Sequence, residues 1–161
     1  MSKYFLYILA LCWLPGLLAS ESLDFDNFLV DTILDQKVPV IDISSHPKGE
    51  VFKEQLQSAT GNTMNYGGQY YMLQTGCGTM CQVFLAVDIT SGKLVGMEDS
   101  NLGGCFQENS KLLILNPFLS TYFEGHIPEW AYTYYYEITE NGFSLLSKTK
   151  KSFTGVCKFG Q

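Results

Sequence analysis

The chain has 161 residues, 46% hydrophobic and 16% charged, enough apolar material for one ordered domain. Sixteen acidic residues outnumber ten lysines, arginine is absent, and the net charge is −6. Without guanidinium forks for phosphates and base edges, and without a basic patch interleaved with aromatics, nucleic-acid binding is excluded as the main activity.

The first twenty residues, MSKYFLYILALCWLPGLLAS, have the order of a secretory signal peptide. Lys3 is followed by an apolar run from Tyr4 to Leu14, a Pro15-Gly16 break and a small-residue end. Cleavage is expected after Ala19 or Ser20. The competing readings are a retained membrane anchor, for which the run is short, and a lipobox at Cys12, where Leu11 replaces the small residue needed. No second long apolar stretch follows, so the expected mature chain, residues 21–161, is a single α+β domain without a transmembrane segment. Its expected location is periplasmic or extracellular.

Two helices are expected first. In residues 23–36, LDFDNFLVDTILDQ, apolar Phe25, Phe28, Leu29 and Ile33 recur at helical spacing, opposite Asp24, Asp31 and Asp35. That acidic stripe reads as a solvated face or, more sharply, as a docking surface for a basic partner. Residues 38–44, VPVIDIS, alternate like a short edge strand, and 46–61 read as a second helix with Pro47 in its first turn and Gly61 at its end. From residue 66 the apolar period becomes two. Strands are expected at 68–75, 82–89, 93–97, 111–117, 131–138 and 143–150, with a loop at 100–105 and a type I′ turn at Asn141-Gly142. The fold class predicted is therefore α+β, with two N-terminal helices packed on an antiparallel sheet of about five to seven strands.

The segment NYGGQYYMLQTGCGTMCQVFLAVDITSGKL resembles a group of small exported bacterial proteins. Their pattern N-[FY]-x-G-x-Y, G-C-G-[ST]-x-C and D-x-T-x-G-K corresponds here to Asn65, Tyr66, Gly68 and Tyr70, then Gly76, Cys77, Gly78, Thr79 and Cys81, then Asp88, Thr90, Gly92 and Lys93. A later S-x-L-L strand matches Ser110, Leu112 and Leu113, and a Y-Y-x-[WI] strand matches Tyr135, Tyr136 and Ile138. The resemblance spans about residues 50 to 147 and implies export and a fold, not a mechanism. It departs at Gln69, where a histidine is common, and at Gln107, Glu108 and Asn109, where Arg-Leu-Asp is common. Roles tied to that histidine or arginine are absent here.

The mature chain keeps four cysteines, Cys77, Cys81, Cys105 and Cys157, and an even count after an export signal points to disulfides. Spacing alone does not choose among the three pairings. A zinc site needs a second close pair of ligands, which is missing. A redox dithiol usually has two intervening residues and sits at a helix start. A catalytic cysteine needs a base, for which only His126, with Glu129 nearby, is available. The remaining reading is a Cys77–Cys81 ring with Gly76 and Gly78 as its flexible joints, leaving Cys105 and Cys157 to each other by elimination. No metal and no cofactor is expected.

The candidate binding residues are Gly76, Gly78 and Thr79 in the ring, Tyr70, Tyr134 and Tyr136 as strand aromatics, and the His126–Glu129 pair. A rigid Gly-rich turn serves as an anion nest or a recognition tip, and exposed tyrosines suit a protein or a glycan. The function expected is an exported, disulfide-stapled binding module, of inhibitor or immunity type, whose partner is a protein or a cell-envelope component. The alternative is a small hydrolase or thiol enzyme using Cys77 or His126.

Overall fold

The computed structural model describes residues 23–157, so the expected signal segment lies outside the described residues. Among the described residues, seven strands form two antiparallel sheets, not one. The first sheet has the order β1-β2-β3: β1 (Tyr70–Gly78), β2 (Cys81–Asp88) and β3 (Lys93–Ser100). The second has the order β4-β5-β6-β7: β4 (Gly104–Gln107), β5 (Ser110–Leu115), β6 (Thr133–Thr139) and β7 (Gly142–Thr149).

Alternate residues of the central strands enter different cores. Phe84 and Ala86 of β2 pack with Leu113 and Leu115 of β5 between the sheets, around the fully buried Tyr66. Val83, Leu85 and Val87 point the other way, onto Phe52, Leu56 and Ala59. Leu112 and Ile114 likewise face outward, under Phe25 and Phe153. Both sheets are thus covered on both faces, which is why QVFLAVD and LLIL read as continuous apolar runs rather than alternations.

The expectation of two N-terminal helices on one sheet is overturned. Residues 25–28 make only a 3-10 turn, capped by the Asp24 carboxylate, which accepts from the Phe25 N–H at 2.7 Å. Beyond it the chain is extended. Val30 N–H donates to the Asn109 carbonyl and Leu34 N–H to the Gly68 carbonyl, while Leu29 bridges Ser110 and Lys37 bridges Thr63. The segment carries four Asp, one Asn and a Thr, whose side chains compete for the backbone and favour caps and turns. Phe25 is buried, but Leu29 and Ile33 stay about half exposed, so the apolar stripe never forms a helix seam.

Of the two expected N-terminal helices, one remains. It opens as 3-10 over Gly49–Phe52 and runs into α1 (Lys53–Ala59), covering the outer face of the first sheet through Phe52, Leu56 and Ala59. Residues 38–44 form no strand: Val38 and Ile41 are buried, Asp42 makes one parallel bridge to Lys93, and a 3-10 turn follows over Ile43–Ser45. The expected loop at 100–105 ends inside β4, and a one-turn helix, α2 (Leu119–Tyr122), was not expected.

The last hairpin closes one residue earlier than predicted. Thr139 pairs with Gly142, so Glu140 and Asn141 hold the turn. Gly142 alone there has positive φ, +107°, which rules out a type I′ turn at Asn141-Gly142.

Candidate functional site

Residues 76–81 form the tip of the β1–β2 hairpin. Cys77 and Cys81 are joined across it with Cα atoms 5.1 Å apart, and Cys105 and Cys157 are joined at 5.5 Å. The pairing register slips between Gly76 and Gly78, so Cys77 is the extra residue of a bulge. Gly78 lies at φ +135°, a conformation side chains avoid. Residues 76–80 are all exposed.

Met80 is the anomaly of this tip. It sits at φ +52°, in the left-handed region where turns normally place Gly or Asn. The strain, about 1–2 kcal/mol, is held from outside the hairpin. Asn101 Nδ2 donates to the Met80 carbonyl at 2.9 Å, and the Tyr122 hydroxyl lies 3.5 Å from the Met80 sulfur. At the base of the tip, Gln74 Nε2 donates to Gln82 Oε1 at 2.6 Å.

Tyr122 carries the surface onward. Its ring meets Phe123 edge-on at 4.9 Å between centroids, and Phe123 meets Trp130 at 5.8 Å. Met80, Tyr122 and Trp130 are 46%, 52% and 62% exposed, so four linked side chains from two distant segments present one apolar patch beside the ring. None of these four was singled out by sequence, although STYFEGHIPEW concentrates aromatics in a loop bounded by Gly and Pro.

The other predicted residues are dispersed. Tyr70 is 5% exposed and packs against Tyr66 in the intersheet core; burial, then the Asp88 carboxylate, pushes its hydroxyl pKa up. Tyr134 and Tyr136 are half-buried on the same intersheet face, their rings stacked at 6.3 Å. Tyr136 faces Glu98, and burial raises the pKa of both groups. His126 and Glu129 are exposed, and the Glu129 carboxylate points at Lys150 Nζ, 3.8 Å away. Cys77 is disulfide-bonded and holds no thiolate for a base to generate. Among the described residues, no group of three His, Cys, Asp or Glu is placed to hold a metal ion, and no helix is long and apolar enough to cross a membrane. The chain matches no family model, no characterised protein and no solved structure.

Proposed function

We propose that the protein is an exported binding module, of inhibitor or immunity type, that seats its stapled hairpin tip and the adjoining aromatic patch on a partner protein in the cell envelope or outside the cell. The observation that carries this reading is Met80. It is an exposed, bulky side chain fixed in a strained conformation by a disulfide ring and by bonds from Asn101 and Tyr122. Backbone strain held in place by its surroundings concentrates where binding needs a preset shape. Tyr and Trp beside it are the residue types that dominate binding hot spots. The paired cysteines leave no free thiol at Cys77, and the Glu129 carboxylate is directed at Lys150, so the hydrolase or thiol-enzyme reading has no supporting observation.

The test is affinity capture from envelope and extracellular fractions with the mature protein, followed by titration of the captured partner. Tyr122→Ala with Trp130→Ala is expected to weaken binding by more than about tenfold at an unchanged urea midpoint. Met80→Gly is expected to leave the fold at least as stable and still weaken binding. Partners that bind these variants as tightly as the parent protein refute the reading.

A further inference from the structure

We infer that the outer edge of β1 beside the tip is a docking strand that takes an extended polypeptide segment of the partner by strand addition. The inference rests on the binding reading above and names the chemistry of one part of that contact.

In an antiparallel ladder, successive residues turn their N–H and C=O groups alternately toward one neighbour and the other. Tyr70 turns its pair outward, away from β2, since it exchanges both bonds with Tyr66. Two residues on, Met72 is served from the same side by a side chain: its N–H donates to Asn65 Oδ1 at 2.6 Å and its carbonyl accepts from Asn65 Nδ2 at 3.1 Å. Asn65 thereby substitutes for one more residue of a neighbouring strand. The same parity turns the groups of Gln74 and Gly76 outward, while Thr75 bonds to Val83 of β2. Among the described residues, nothing bonds to the main chain of Gln74 or Gly76 on that side. The edge carries unfilled ladder groups for two residue steps and ends at the Cys77 bulge.

This edge is also bare. Gln74 and Gly76 are exposed, and a Cβ built on Gly76 would meet nothing within 4 Å. A glycine at such a place in a strand lets another backbone come close. A shallow concavity of about 480 Å³ lies over the hairpin at the tip, lined by Gln74, Gly76, Gly78, Met80 and Gln82 among others, and so includes the two residues with unfilled edge groups.

The other three edges differ: β4 is only four residues long, slips in register between Cys105 and Gln107, and gives its Gln107 carbonyl to the Gly67 N–H. β3 is met by β7 where Gly142 approaches Val95, and its Leu94 N–H is taken by Ser45 Oγ. β7 has its own register slip at Leu146, carries Lys148 and is followed by Lys150 and Lys151, the charges and bulges that blunt edges against pairing. The β1 edge has neither guard before Cys77. Strand addition draws affinity from main-chain hydrogen bonds and specificity from flanking pockets, so its occupant is a peptide segment in extended conformation.

The test uses a random-peptide library displayed on phage and panned on the mature protein, with hydrogen exchange read by NMR on the unsubstituted protein. In the free protein the Gln74 and Gly76 amides should exchange fast and the Thr75 amide slowly. Enriched peptides should slow exchange at Gln74 and Gly76 by more than about tenfold. Gln74→Pro removes one outward donor at a position where an edge strand tolerates proline, and should weaken peptide binding by more than about tenfold. The proposal is overturned if no peptide is enriched, if enriched peptides leave both amides exchanging freely, or if the edge is covered only by a second copy of the chain. Exchange on the unsubstituted protein decides the matter even if Gln74→Pro unfolds. A partner lost with Tyr122→Ala and Trp130→Ala but indifferent to Gln74→Pro would sink the edge and leave the binding reading standing.

Discussion

Replacing Gly142 with Ala tests the junction between the two sheets. Gly142 begins β7 at φ +107°, and a Cβ there would lie 2.6 Å from the Val95 carbonyl oxygen of β3. That oxygen belongs to a backbone and has no rotamer to escape into. β7 must therefore recede from β3, and it takes Phe143 with it. The Phe143 ring packs directly over Gly96, its atoms lying 2.8–2.9 Å from where a Cβ on Gly96 would sit. Two costs add: roughly 1–3 kcal/mol for an L residue at this φ, and about 1 kcal/mol for part of the Phe143 contact. Gly61→Ala is the control, because Gly61 has φ +85° but nothing within 4 Å of its Cβ position. The loss of unfolded-chain freedom is the same in both variants and cancels. Urea denaturation should place the Gly142→Ala midpoint well below that of Gly61→Ala, by at least about 1 kcal/mol at equal slope. If the two variants lose the same stability, the sheets are not clamped at this point and the packing argument fails.

The two disulfides should differ in worth by their loop lengths. Changing Cys77 and Cys81 to Ser removes a bridge across a separation of only 4 residues and should cost about 2 kcal/mol, whereas removing the Cys105–Cys157 bridge, across 52, should cost about 4 kcal/mol; the reverse order in chemical denaturation would refute the loop-entropy account. Glu98→Gln should raise the melting temperature at neutral pH and have no such effect in acid. Burial holds the Glu98 pKa above its ordinary value, so the folded state binds the proton more tightly than the unfolded chain does. Stability is then full below the unfolded carboxylate range, falls as pH rises toward the raised folded value, and stays lower above it. A Glu98→Gln gain that is as large in acid as at neutral pH would show that charge desolvation is not the cause.

The strands were legible because each carries its signal locally. Val83, Leu85 and Val87 are bounded by turn residues on either side, and Asp88 turns the chain by accepting from Thr90 and Ser91. The division into two sheets was not legible. It depends on β4, whose four residues GCFQ hold a glycine and a cysteine and no alternation, and on contacts between β3 and β7 far apart in sequence. The first helix was misread because Phe25, Phe28, Leu29 and Ile33 satisfy the helical period by position, while the intervening Asp and Asn residues weaken the helix itself. At the candidate site, the ring was visible from its cysteines and glycines. The aromatic patch was not, since Tyr122 and Met80 come together only through the fold.

The contrast between scaffold and tip bears on what the tip is for. A loop that merely connects β1 to β2 is most stable with Gly or Asn at residue 80, where positive φ carries little penalty. This chain places Met there and holds it with two contacts from outside the hairpin. The scaffold beneath can bear that strain, because β2 is fully buried from Val83 to Val87 and each sheet is packed on both faces. Reduced loop freedom lowers the entropy lost on binding, and a side chain already fixed in place gives up less of its own. On the proposed binding reading, Met80 and the bare main chain at Gln74 and Gly76 would form one surface, with Met80 as the anchor that sets position and the edge setting direction.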